Sequence, residues 1–299
     1  MKILFYPTCI TTQHFETQLE LIYKHILAGD EIYVALCRRF QHRCLLNTDY
    51  DWVSCISQKA RLKMGLSFFG KGAVREIVMP KIASLPKIPD SFATIDDLMD
   101  FEVNGIGLGR AVAAQLINRH NKDPKLDTIR YKSQVINELR NAYYVVLSFQ
   151  KLADQLKPDA VYIYNGRFST TRPIVDYCEK NNITFYTHDA TTINSRYALY
   201  KNTIPHNLYH NAEMIQRLWE EGPSDKDEIS KKWFENRRYR VDQGFFSYTG
   251  EQMVGRMPAG LDPNKKKVAI YNCTIEEYVT VPWWKNHLYK DENEGLRRI

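Results

Sequence analysis

His14, His188 and Asp189 can move a proton, and Arg167 and Arg172 can clamp an anion through paired N–H donors, so these five side chains carry the chemistry legible in this chain. Their surroundings place them at strand ends. The run from Asp159 to Asp189 reads as one βαβ unit. Val161, Ile163 and the flanking tyrosines form a short strand that Asn165-Gly166 breaks. Ser169, Thr170 or Thr171 can then cap a helix with Pro173 in its first turn and Ile174, Val175 and Cys178 on its apolar face, which Asn181-Asn182 ends. A second strand begins at Ile183 and delivers His188 and Asp189 at its C-terminal end. Asn165, Gly166, Arg167 and Arg172 follow the first strand in the same sense, and open α/β sheets bind ligands at the carboxyl ends of parallel strands.

The same logic repeats at the N-terminus. Lys2 to Tyr6 is a buried-type strand, Phe15, Leu19, Ile22 and Ile26 fall at helical spacing before Gly29, and Glu31 to Cys37 is the next strand. His14 closes the polar turn between first strand and first helix. That turn lacks Gly-x-Gly-x-x-Gly, so a dinucleotide pyrophosphate has no cradle and a nicotinamide enzyme is disfavoured. Residues 37–89 lack clean periodicity and read as loops and short helices. Gly105, Gly107 and Gly109 precede an Ala-rich helix from Arg110 to Asn118; they form a close-packed turn, or Gly107 offers its amide to an anionic group. Leu126 to Leu156 reads as one long amphipathic helix. After Asp189, helices are predicted from Ile204 to Glu221 and from Ser224, the latter with Asp227 in capping-box position. The resulting fold class is α/β, a Rossmann-like parallel sheet flanked by helices over 1–245. A linker at 246–267 and a strand at 267–274 follow, so that 268–299 reads as the truncated beginning of a second Rossmann-like domain, shorter than the ~50 residues a domain needs.

Composition is that of an ordinary globular protein, 44% apolar and 25% charged, and in the net charge of +6 the basic residues are scattered except for Arg237-Arg238 with Arg240 and Lys265-Lys266-Lys267, which read as a solvated face or linker, so nucleic acid is not indicated as a partner. No apolar run approaches the ~20 residues of a membrane span, and the N-terminus has no signal-peptide core; a cytoplasmic protein is expected. Six cysteines are too sparse for a disulfide scaffold. Cys37, Cys44 and Cys55 cluster, but Gln58 stands where a fourth ligand belongs and His42 is the only nearby substitute. Free thiols and no metal are therefore expected.

An α/β domain, a linker and the opening strand of a second α/β domain is the order of GT-B glycosyltransferases. The chain resembles such enzymes of bacterial capsule and surface-polysaccharide biosynthesis in Thr11-Thr-Gln-His-Phe-Glu-Thr-Gln-Leu-Glu20, Gly105 to Arg110, Tyr164-Asn-Gly-Arg-Phe168, Tyr186-Thr-His-Asp189 and Tyr271-Asn-Cys-Thr-Ile-Glu-Glu277. The resemblance implies an acceptor-side domain and a nucleotide-sugar donor as co-substrate, with no separate cofactor. It further implies a glycan or lipid-linked acceptor and association with the inner membrane face. In that frame His14, His188 and Asp189 compete as the base that takes the acceptor proton. Arg167 and Arg172 bind an anionic acceptor or diphosphate, and Thr274 and Glu277 belong to the donor half. The same residues have structural readings: a helix-cap neighbour for His14, a turn hydrogen-bond pair for His188 and Asp189, and for the arginines a salt bridge holding the long helix to the sheet. A non-catalytic acceptor-binding module and a single-domain nucleotide-sugar enzyme are the other classes left open.

Overall fold

A computed structural model describes all residues except 38–43, 45, 46, 48, 50, 121, 122, 192–195, 240, 242–252, 254, 255, 258, 263, 270–274, 285–287, 290, 291 and 299. The strands at the centre of the sheet are apolar runs buried on both faces, as a parallel sheet requires, while the strands at its two edges are partly exposed. In chain order the strands are β1 (Lys2–Tyr6), β2 (Glu31–Leu36), β3 (Val74–Val78), β4 (Ala160–Tyr164), β5 (Thr184–Ala190) and β6 (Tyr197–Lys201). They form one sheet in the order β3-β2-β1-β4-β5-β6, parallel except for β6, which runs antiparallel to β5. The architecture is α/β and Rossmann-like.

Alternation along β1 divides the core. Ile3 and Phe5 face α1 (Gln13–Leu27) and α2 (Trp52–Leu66), whereas Leu4 and Tyr6 face α4 (Leu108–Arg119), α5 (Lys132–Leu156) and α6 (Arg172–Lys180). Short α3 (Ile95–Met99) packs on α4; α7 (Leu208–Glu220) and α8 (Lys226–Arg238) bury none of their residues, and α9 (Glu292–Arg298) is the last described helix. Helix punctuation follows local chemistry. Gly29 at φ 77° follows the end of α1, Lys157 at φ 50° precedes Pro158 at the end of α5, and Pro173 sits in the first turn of α6. Asn165 and Gly166, at φ 55° and 82°, turn the chain out of β4. A Cβ on Gly166 would lie 2.7 Å from Ile204 Cγ2, so the turn has no room for one.

Several expectations change. Residues 37–89 contain a full 15-residue helix and an edge strand, α2 and β3, hidden because α2 exposes Trp52, Val53 and Ile56 and β3 sets Arg75 and Glu76 side by side between its apolar residues. Helix α5 starts at Lys132, helix α4 at Leu108 and helix α7 at Leu208, since Leu126 and Ile204 are buried in the turns before their helices. The box expected at Ser224/Asp227 does not form: Asp225 holds the N-cap of α8 without a side-chain bond, and it is Thr94 and Asp97 that make a reciprocal box, at α3. The strand expected over 267–274 is absent from 267–269, and 270–274 lie outside the described residues, as does half of the expected linker. Val268 is exposed, but Val281 is buried and Trp283 and Trp284 pack on the core beside α4 and α6.

Gly109 makes the close helix packing possible. A Cβ there would fall 1.6 Å from the Leu98 carbonyl oxygen, while one on Gly105 meets only the Lys180 ammonium at 3.9 Å. Gly109→Ala is therefore expected to cost about 3 kcal/mol or more, at the top of the overpacking range, and Gly105→Ala, whose φ is 70°, only ~1 kcal/mol. Urea unfolding of the two variants checks this; equal midpoints would show that α3 and α4 do not approach so closely.

Candidate functional site

β1 and β4 lie side by side, but β1 leads into α1 on one face of the sheet and β4 into α6 on the other. The connections diverge there and leave a crevice over the strand ends, which is where doubly wound sheets bind ligands. His14 enters it from the first turn of α1. Tyr164 and His188, paired on β4 and β5, enter from below, and the ring centroids of His14 lie 4.1 Å from Tyr164 and 6.2 Å from His188. Asp189 closes the group. Its Oδ2 accepts from Asn165 Nδ2 at 2.7 Å and its Oδ1 from the Ala190 amide at 2.8 Å. His14, Asn165, His188 and Asp189, drawn from three parts of the chain, therefore share one site.

The arginines separate. Arg167 lies beside this group, 6% exposed, with Nη1 3.5 Å from the Glu276 carbonyl oxygen, Nη2 4.0 Å from Glu277 Oε1, and its guanidinium 4.8 Å above the Phe168 ring. Arg172 instead forms a buried ion pair with Asp176 one turn along α6, and Asp176 Oδ2 also accepts the Gly107 amide at 3.0 Å. The salt bridge foreseen for Arg172 exists, but within α6 rather than to the long helix, because Asp176 stands at the helical i+4 position. Gly107 consequently has no amide left for a substrate. This second group borders a cavity of about 290 Å³ together with Arg110, Lys180 and Trp283. Thr274 lies outside the described residues; Glu277, expected on the donor side, faces Arg167.

Burial distinguishes the two histidines. His188 is fully buried, its Nε2 receives the Gln18 amide at 3.0 Å, and burial aided by neighbouring His14 pushes its pKa down to about 3. An amide nitrogen only donates, so the His188 proton sits on Nδ1. The ring stays neutral and out of reach of a substrate. His14 is half-buried; burial lowers its pKa and the Asp189 carboxylate partly restores it. It is thus neutral near pH 7 and accessible, which a general base requires. Burial also pushes Cys9 up to about 12 and raises Tyr164, and burial with the nearby Arg167 charge brings His206 down to about 3.

Buried polar atoms are nearly always satisfied in folded proteins. Here Thr8 Oγ1, His14 Nδ1, Asn165 Oδ1, Arg167 Nε, Thr170 Oγ1, His188 Nδ1 and His206 Nδ1, all on segments at this edge, are buried without a hydrogen-bond partner among the described residues. Donors and acceptors aimed at one place without partners are what a polar ligand would satisfy. Gln18 and His206 belong to the site and were not singled out from the sequence. Gln18 carried a signal, a polar residue in the Phe15, Leu21, Ile22 stripe of α1 and one turn after His14. His206 carried none, since β6 was not foreseen. A larger cavity of about 370 Å³ lies on the other side of β1, beneath α2.

Two neutral buried histidines make stability depend on pH. Their folded pKa values of about 3 lie below the ordinary unfolded value, so the unfolded chain binds the extra protons as pH falls through 6.5 toward 3. Stability is full above that window and is lost within it, at about 1.4 kcal/mol per pH unit for each histidine. Urea midpoints at pH 7, 6 and 5 should fall accordingly, and His206→Gln should roughly halve the slope. A midpoint independent of pH would place both rings in water.

A scan against protein-family models, a search of curated proteins and a search of solved structures each return no match to this chain, so fold and geometry alone carry the reading of the site.

Proposed function

We propose that this Rossmann-like unit is the acceptor-side domain of a two-domain glycosyltransferase of the GT-B kind, which moves a sugar from a nucleotide-sugar donor to a surface-glycan or lipid-linked acceptor. One observation carries the reading. An accessible neutral imidazole, His14, stands at the divergence of β1 and β4 next to the Asp189 carboxylate and among buried polar atoms without partners.

Glycosyl transfer needs the proton of an acceptor hydroxyl to leave as its oxygen bonds to the anomeric carbon of the donor sugar and the bond from that carbon to the nucleoside diphosphate breaks, the diphosphate leaving with the electron pair. His14 takes that proton. The Asp189 charge raises the basicity of the ring and stabilises the imidazolium that forms, while Asn165 holds Asp189 in place. Arg167 and the Asn165 carbonyl supply a donor and an acceptor for hydroxyls of the acceptor sugar, as mixed donor and acceptor sets do in polar ligand sites. His188 is a positioning residue: held by Gln18, it fills the floor beneath His14 and keeps a second positive charge away from it.

As an acceptor-side half, residues 1–299 are expected to bind simple glycosides weakly and nucleotide sugars negligibly in calorimetry. Micromolar nucleotide-sugar binding, about −8 kcal/mol, would overturn the two-domain reading in favour of a single-domain nucleotide-sugar enzyme. With the donor half supplied, His14→Ala should lower kcat by about 10²–10⁴-fold, the range for a lost general base, with KM for the acceptor little changed. Full activity in that variant would move the base elsewhere.

A further inference from the structure

The 370 Å³ cavity beneath α2 is a site of different character from the polar crevice, although the two share a wall. The connection 7–12, which carries Thr8 and Ile10 into the cavity, ends at α1 one residue before His14. On the other side the lining comes from α2. Trp52, Ile56, Lys59 and Lys63 follow one another by three or four residues and so lie on one face of the helix, over a floor that includes Tyr6 and Leu62. The volume falls in the range of about 300–1,000 Å³ typical of ligand sites. Its floor is buried, but at the mouth Trp52 is 56% and Ile56 49% exposed, so large apolar groups border a hollow that nothing else described fills.

Charge completes the pattern. Helix α2 contains no acidic residue; Arg61 is tied to Glu16, which leaves the Lys59 and Lys63 ammonium groups at the rim without an ion-pair partner among the described residues. Among the described residues Glu76 is the one acidic group lining the cavity. An apolar hollow with two cations at its rim matches a molecule with an apolar chain and an anionic end.

We propose that this cavity binds the chain of an anionic amphiphile, with its charged head held by Lys59 and Lys63. The inference rests on the acceptor-side reading only for its purpose, which is to bring a lipid-linked acceptor to His14; the binding itself stands on the cavity and the charge of α2. It therefore deepens that reading by selecting the lipid-linked class of acceptor. The chain enters beneath α2, and the shared connection 7–12 sets the head beside the crevice.

Farnesyl phosphate is the probe, titrated against tryptophan emission with Trp52→Phe as the control for the reporter. Saturable binding is expected. Farnesol alone and inorganic phosphate alone should each bind at least about tenfold more weakly, a loss of ~1.4 kcal/mol. Ile56→Trp, which fills the mouth, and Lys59→Glu/Lys63→Glu, a surface change that leaves the core intact, should each raise Kd by about tenfold or more. No saturation by farnesyl phosphate, or a Kd unchanged in both variants, would overturn the proposal. So would binding to phosphatidylglycerol vesicles that Ile56→Trp leaves untouched, since that would make α2 a membrane-surface contact. Because no transfer is measured, failure here leaves the role of His14 standing, and an inactive His14→Ala enzyme leaves the cavity standing.

Discussion

The pairing of β1 with β4 is the constraint on which the rest of the structure depends. These strands are separated by more than 150 residues, yet Ile3 to Tyr6 runs in register with Ala160 to Ile163 at the centre of the sheet, and all of these residues are buried. Burying an aliphatic or aromatic side chain contributes roughly 1.5–3 kcal/mol, and here it happens on both faces at once. The same pairing makes the site. Because the strands are neighbours and their connections leave toward opposite faces, the backbone parts over their ends and nothing from the main chain can fill the gap.

What lines the gap is a set of polar groups under unequal control. His188 is held by Gln18, Asp189 by Asn165 and a backbone amide, and Asn165 by a left-handed backbone that only Asn, Asp or Gly adopts readily. His188 Nδ1 and Asn165 Oδ1 nonetheless remain without a partner among the described residues, as do atoms of His14, Arg167, Thr170 and His206. A neutral floor under a half-exposed imidazole is a sensible division: two cationic rings this close in low dielectric would repel, so burial keeps His188 uncharged and leaves His14 free to take a proton.

Charge compensation separates the two arginines of the Asn165 to Arg172 loop. Arg172 has a carboxylate one helical turn away, and that carboxylate also caps the amide of Gly107, so the pair is closed and ties α6 to the start of α4. Among the described residues Arg167 has no comparably close carboxylate: it meets Glu277 at long range, a carbonyl oxygen and the Phe168 ring. Similar sequence positions thus led to a structural residue and to one with donors in reserve, and α2, with no acid of its own, leaves two lysines in reserve beside its cavity.

Local chemistry determined a good deal without the structure: the Rossmann-like class, strands β1, β2, β4 and β5, the turn at Asn165-Gly166 and the placement of His14, His188 and Asp189 at strand ends. Apolar runs, glycine and asparagine turns and proline positions act over a few residues and can be read from them. Helix α2, strand β3 and strand β6 were not legible, because α2 leaves its apolar groups uncovered and both strands lie toward the sheet edges, where alternation with polar residues blurs the signal. Nor could sequence separate Arg167 from Arg172, or His14 from His188. Those distinctions depend on which side chains are within hydrogen-bonding distance and how much water is excluded; apart from the i+4 pairing of Arg172 with Asp176, these are set by contacts between residues 69, 109 and 170 positions apart. Only the tertiary structure decides such quantities, since desolvation and pairing are properties of a place and not of a residue type.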